Sequence, residues 1–206
     1  MGERKRGSRL VIIGASGHGR VVADIAKQCG YREIVFLDDN PGLTSCGGFP
    51  VVGGIDQTAK TAGELFVAIG NAKVREHLMT RYAERTFPVL LHPSAVIAEG
   101  VEIGRGSVVM AGSVINPGAK VGKGVIVNTC SSIDHDCDVG DYVHVAVGAH
   151  LCGTVHVGER TWIGAGATVS NNVSICEECM IGAGAVVVKA VAQSGTYVGV
   201  PAKKIK

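Results

Sequence analysis

The sequence predicts a parallel β-helix behind a small α/β unit, and two observations carry that prediction. Over 97–191 an aliphatic residue recurs at every sixth position, from Ile97, Ile103 and Val109 through to Ile181 and Val187. Four residues after each comes a small or β-branched residue, as at Ser107, Ser113, Ala119, Cys137, Ala167 and Val191. A helix repeats at about 3.6 residues and a simple strand at about 2, so neither produces this spacing. A hexapeptide repeat is the sequence form of a β-helix. Upstream, short apolar runs alternate with helix-like stretches, which predicts a small parallel sheet with helices on its faces.

In the first unit the run 9–13 predicts a strand, and Gly14-Ala15-Ser16-Gly17-His18-Gly19 follows it. A helix is expected over 20–29, with Val21, Val22, Ile25 and Ala26 on one side. Strands are expected over 33–37, ending at Asp38-Asp39, over 65–69, ending at Gly70-Asn71, and over 87–91, with a helix over 73–84. Pro93 marks the handover, giving units 1–92 and 93–206.

In the second unit each hexad is a short strand plus a bend, and three hexads make one triangular coil. Coils stack at the ~4.8 Å spacing of paired strands, so the repeat predicts about five coils and a prism roughly 25 Å long over 93–191. The aliphatic residue points inward, and the small residue fits inside the corner. Glycine recurs just after the aliphatic position, at Gly104, Gly122, Gly140, Gly158, Gly164 and Gly182, where freedom at the bend is the expected reason.

Composition agrees with a core of small, stackable side chains: 46% hydrophobic, only 4% aromatic, with 30 glycines in 206 residues. A net charge of +2 makes no case for nucleic acid or membrane insertion. The basic start, 1–9, precedes an apolar run of only 10–13, too short for a signal peptide. Seven cysteines at irregular spacing argue against a disulfide framework and for a reducing cytoplasm. Cys176-x-x-Cys179 has no second such pair, and Cys179 falls at an inward repeat position, so packing is expected rather than zinc.

The glycine loop lies between a strand and a helix N-terminus, where free N–H groups and the helix dipole favour phosphate. Asp38 and Asp39 stand about twenty residues on, where an acidic side chain meets a ribose hydroxyl. Ser16 replaces the second glycine of the dinucleotide fingerprint and the unit is short, which favours a mononucleotide over NAD.

In the solenoid, polar residues crowd the outward positions over 128–156: Asn128, Asp134, His135, Asp136, Asp138, Asp141, His144, His150 and His156. In Asp134-His135-Asp136 a carboxylate beside the imidazole fixes its tautomer and makes it a better base. His144 lies half a coil further on, so the two histidines approach only across a groove between neighbouring prisms. His144, His150 and His156 fall on three successive faces and do not converge on a zinc ion within one chain.

The glycine loop, Leu37-Asp38-Asp39, the unbroken hexapeptide series, Ile133-Asp134-His135-Asp136-Cys137 and the ending Tyr197-Val198-Gly199-Val200-Pro201-Ala202-Lys203 resemble the sialic acid O-acetyltransferase-like family of PglD-type sugar acetyltransferases. The resemblance covers nearly the whole chain. It implies a left-handed β-helix, a Rossmann-like nucleotide-sugar domain, a homotrimer, acetyl-CoA as cosubstrate and no metal. It also implies His135 as general base, oriented by Asp136 where the family often has Glu. Asn128 would contact the sugar, and His144 the thioester carbonyl of acetyl-CoA, with Gly153, Ala165 and Ala183 also against the cosubstrate. Gly14, Ser16, Gly17, His18 and Gly19 would hold phosphates, and Asp38 and Asp39 ribose or base. The activity implied is N-acetylation of a nucleotide-linked 4-amino sugar. Alternatives are O-acetylation of a sialic-type sugar, a non-catalytic nucleotide-sensing scaffold, and a zinc hydratase.

Overall fold

The computed structural model describes residues 9–206, so the basic segment 1–8 lies outside the described residues. The chain divides into two compact units between Leu90 and Leu91. The first runs β1 (Arg9–Ile13), α1 (Gly17–Gln28), β2 (Glu33–Leu37), an antiparallel hairpin of β3 (Ser45–Cys46) and β4 (Phe49–Pro50), β5 (Glu64–Val67) and α2 (Ala72–Arg81). The three longer strands form a parallel sheet in the order β2-β1-β5. Leu10, Val11, Ile12 and Ile13 are fully buried, as expected of a central parallel strand covered on both faces.

Helix α1 starts three residues before its expected position because Ser16 caps it, its Oγ accepting from the Gly19 amide at 3.4 Å. Its buried face is Val22, Ala23, Ile25 and Ala26, while Val21 is 43% exposed. The helical period of about 3.6 puts 22, 25 and 26 together and turns 21 outward. The expected strand over 87–91 shrinks to Leu90–Leu91, and it joins a solenoid face instead of the first sheet.

The second unit is a β-solenoid of two-residue strands, one every six residues. They stack into three faces, two of them with six and five strands and the third with eight. The register advances by eighteen, with Val114 paired to both Val96 and Ser132. The aliphatic series accounts for about five coils. Leu90–Leu91 and Gly195–Val198 extend the eight-stranded face beyond both ends of that series, and Lys203–Lys204 adds a last antiparallel strand. The aliphatic positions from Val109 onward are buried, whereas Ile97 and Ile103, in the first coil, are only partly covered.

The small corner residues do more than save space. Ser107 Oγ donates to Gly122 O at 2.8 Å, Ser113 Oγ to Asn128 O at 2.7 Å, Cys137 Sγ to Cys152 O at 3.1 Å and Thr161 Oγ1 to Cys176 O at 3.0 Å. Each ties a corner to a carbonyl fifteen residues on. Buried polar atoms are thus satisfied inside an otherwise apolar prism.

The glycines after the aliphatic position correct the expectation of bend freedom. A Cβ at Gly104 would lie 2.4 Å from Lys123 N, and one at Gly164 2.5 Å from Ile181 O. The next coil approaches too closely for any side chain. Left-handed backbone falls instead at every sixth residue from Gly100 to Gly184, and seven of these positions are not glycine: Cys130, Asp136, Tyr142, Thr154, Arg160, Asn172 and Glu178.

Candidate active site

Three consecutive residues at one corner of the prism form the sharpest constellation. Asp136 has φ 57°, and its left-handed turn folds its carboxylate back onto the preceding imidazole. Asp136 Oδ2 lies 2.9 Å from His135 Nδ1. Asp134 is occupied elsewhere: its Oδ1 accepts from Asn116 Nδ2 at 2.7 Å and from the His135 amide at 2.8 Å. The carboxylate that faces the ring is therefore Asp136. Its hydrogen bond raises the His135 pKa above the ordinary histidine value, with the charges of Asp134 and Asp136 adding to the effect. Both side chains are more than half exposed.

Gly153, one coil further on, lies beneath that ring. A Cβ there would sit 2.4 Å from His135 Nε2 and 2.5 Å from Cε1. The absence of a side chain at 153 is what lets the imidazole lie over the next coil with Nδ1 held and Nε2 presented.

A second pair sits at a different corner. Asn128 Oδ1 accepts from the Thr129 amide at 2.8 Å, which turns its Nδ2 toward His144 Nε2 at 3.1 Å. An amide nitrogen only donates, so Nε2 accepts and the His144 proton sits on Nδ1. His144 was expected to face outward, but it is only 6% exposed, with its ring centroid 4.0 Å from that of Trp162. The large indole one coil away covers the imidazole. Ala165 and Ala183 are exposed along this second edge, whereas Gly153 is with His135. The structure thus brings together His135, Asp136 and Gly153, and separately Asn128 and His144.

The other histidines are engaged locally. His150 Nδ1 is 2.8 Å from Ser132 Oγ, and His156 Nδ1 is 3.4 Å from Asp138 Oδ2. They lie on different faces from each other and from His144. Among the described residues no group of three or more histidine, cysteine and acidic side chains is placed to hold a metal ion. Cys176 and Cys179 face each other with sulfurs 3.5 Å apart, and burial followed by the Cys176 contact pushes the Cys179 thiol up to about 12. Burial also raises the Cys137 thiol. Neither is poised as a nucleophile.

In the first unit the glycine loop follows β1 at the carboxyl edge of the sheet. The Gly14 amide donates to Leu37 O at 2.9 Å. A Cβ at Gly19 would lie 2.1 Å from Gly14 O, so this glycine permits close packing of helix on strand. Gly17 differs, since beyond its chain neighbours and its own helix backbone the nearest atom to a Cβ there is Arg20 Nη2 at 3.9 Å. Asp38 accepts from the Ala15 amide at 2.8 Å and from Asn40 at 2.9 Å, and Asp39 from Ile55 at 2.8 Å. These carboxylates shape the loops around them, a role the sequence did not reveal.

Sequence reasoning also missed Arg75 of α2. It is 1% exposed, and its Nη1 donates to Ile69 O at 2.7 Å and Gly70 O at 3.1 Å. Burial lowers the His18 pKa to about 4, and the Arg75 charge contributes in the same direction. An open cavity of about 640 Å³ in this unit is lined by Arg9, Val52, Gly53, Gln57 and Lys60 and includes none of the expected site residues. No helix among the described residues is long and apolar enough to cross a membrane.

Comparison with known proteins agrees with both units. Residues 9–82 match the PglD N-terminal domain, 94–117 the hexapeptide repeat of succinyl-transferase and 154–189 the bacterial transferase hexapeptide. UDP-N-acetylbacillosamine N-acetyltransferase of Bacillus subtilis is 31% identical over 110 residues, which span 50% of this chain and 51% of that protein. The acetyltransferase domain of PglB from Neisseria gonorrhoeae is 40% identical with a TM-score of 0.93, over 96% of this chain and all of that one. The same domain has been solved with acetyl coenzyme A. A histidine-to-asparagine variant of perosamine N-acetyltransferase from Caulobacter crescentus, in complex with CoA and GDP-perosamine, is 36% identical with a TM-score of 0.91, over 96% of each chain. With the solenoid, the N-terminal domain and this likeness over nearly its whole length, the chain belongs to the PglD-type family of hexapeptide-repeat sugar acetyltransferases.

Proposed function

We propose that this chain transfers the acetyl group of acetyl-CoA to the amine of a nucleotide-linked 4-amino-4,6-dideoxy sugar, with a UDP-sugar favoured. The observation that carries the reading is His135 held by Asp136 at Nδ1, with Nε2 over the bare Gly153. The Nδ1 proton donates to the carboxylate, so Nε2 holds the lone pair. The substrate amine arrives largely as ammonium and loses one proton to solvent before it can attack. As its nitrogen bonds to the thioester carbon, Nε2 takes the second proton. Collapse of the tetrahedral intermediate breaks the carbon–sulfur bond, and the imidazolium returns the proton to the departing thiolate. No covalent enzyme intermediate is needed, in keeping with the raised cysteine thiols.

Asn128 is the partly exposed member of its pair and contacts the sugar. His144 would donate to the thioester carbonyl only after the Trp162 indole moved aside, because its Nδ1 is buried in this structure. Ala165 and Ala183 leave an edge low enough for the pantetheine arm. The two pairs occupy different corners of one prism, so a complete site calls for a neighbouring copy. Exposed Val96, Val147, Met180 and Val188 on the solenoid supply apolar surface for a homotrimer. Ser16, Gly17 and His18, at the open start of the helix, bind the phosphates, with Gly14 and Gly19 shaping the loop behind them and Asp38 and Asp39 beside it. Seven free cysteines suit a reducing cytoplasm.

The test is thiol release from acetyl-CoA with UDP-, GDP- and dTDP-linked 4-amino sugars. At least one should turn over and yield the N-acetyl product. Release with none of them, or acetylation at a hydroxyl only, refutes the reading.

A further inference from the structure

The sheet order singles out one crevice in the first unit. Strand β1 leads through α1 to β2 on one side, while β5 lies on its other side. In open α/β sheets ligands bind beyond the carboxyl ends of strands where such a reversal occurs. The crevice is bordered by the glycine loop after β1 and by the segment 68–71 after β5. These two segments are locked together. The Ala68 amide donates to Ile13 O at 2.8 Å, and a Cβ at Gly14 would lie 2.9 Å from Ala68 O and 3.1 Å from Ile69 Cγ1.

Arg75 is anchored to that border, its guanidinium donating to the Ile69 and Gly70 carbonyls. It is the largest fully buried side chain described. Burying a cation is costly, and a methionine of similar volume would fill the space without the penalty. A guanidinium also does not deprotonate to escape the cost. Its charge adds to burial in disfavouring protonation of His18 on the other border.

We infer that Arg75 is a positioning residue for the diphosphate of the nucleotide sugar: it fixes the 69–70 carbonyls that wall the crevice and supplies a permanent positive charge behind the phosphate loop. This rests on the reading of the glycine loop as the phosphate site. Backbone amides and a helix N-terminus give only partial charges. A buried guanidinium carries a full formal charge, screened less by salt than that of a surface lysine would be. With that charge fixed nearby, the half-buried His18 acts as a neutral hydrogen-bonding group.

The experiment is calorimetric binding of UDP, GDP and dTDP, and of the matching nucleosides, to the wild-type chain and to Arg75→Met and Arg75→Lys. Wild type should bind at least one diphosphate. Arg75→Met should weaken that diphosphate about tenfold and leave the nucleoside within twofold, a loss tied to phosphate charge. Arg75→Lys should recover most of the loss. The KM for acetyl-CoA should not change. Equal diphosphate affinity in Arg75→Met, or equal loss for diphosphate and nucleoside, overturns the role of Arg75. A wild-type chain that binds no diphosphate overturns the phosphate site itself. Should Arg75→Met fail to fold, Arg75→Lys decides, since a purely structural fork would lose diphosphate and nucleoside alike.

Discussion

Gly153→Ala isolates the seating of His135. The added Cβ would stand 2.4 Å from Nε2 and 2.5 Å from Cε1. Contact between such atoms is comfortable only near 3.5 Å, so the ring retreats by about 1 Å. Nδ1 is tied to Asp136 at 2.9 Å, so the ring either tilts about that bond or breaks it. Both displace the lone pair that receives the proton. A misplacement of about 1 Å costs on the order of 10²-fold in rate. Folding should hardly notice: the His135 side chain is 54% exposed and can swing into water, and Gly153 is absent from the left-handed positions that would strain an alanine. The expected result is kcat down roughly 10²-fold with an unchanged thermal midpoint. In a His135→Ala background the same change should cost little more, since the misplaced group is already gone. Wild-type kcat in Gly153→Ala, or a loss confined to the KM for acetyl-CoA, would refute the reasoning and return Gly153 to a role as cosubstrate contact alone.

His135→Ala should lower kcat/KM by about 10²–10⁴, the usual share of a general base. The base works neutral and Asp136 raises its pKa, so the rate should rise with pH through a value above the ordinary 6.5, and Asp136→Asn should move that limb to lower pH. If the loop holds the phosphates as proposed, Gly17→Val should raise the KM for the nucleotide sugar and spare that for acetyl-CoA, because the space at its Cβ is open, the nearest atom beyond its own helix backbone and chain neighbours being Arg20 Nη2 at 3.9 Å. Thr161→Val removes the bond to Cys176 O and leaves the Cys179 amide, now bonded to Thr161 Oγ1 at 3.1 Å, without an acceptor. A loss of about 1–3 kcal/mol in denaturant unfolding is expected.

The solenoid was legible because its period is a covalent property of the chain: a residue six positions on meets the same environment on the next face. Ile115 and Ala119 could be assigned to the core without a structure. The reason for Gly104 and its successors was not legible, since it lies in the approach of a coil eighteen residues away. His144 looked outward by its place in the hexad, yet Trp162 covers it, a contact set by ring size rather than by pattern. His135 and Asp136 were legible as neighbours. That Asp136 and not Asp134 faces the ring depends on a left-handed turn, which sequence does not mark when the residue is not glycine. Arg75 was hidden inside a helix-like stretch because a charged residue there reads as solvated surface.

The eighteen-residue register limits how such a chain can change its length. Each hexad carries the backbone one third of the way round the prism. Deleting a single hexad between His135 and His144 would bring every later residue one face back. Asn128 would lose its partner, although every remaining hexad would still fit the core. Deleting three consecutive hexads elsewhere in the series would return the same face to the same side, one level lower. Insertions and deletions in this unit are therefore quantised: multiples of six preserve folding, whereas only multiples of eighteen preserve which side chains share an edge.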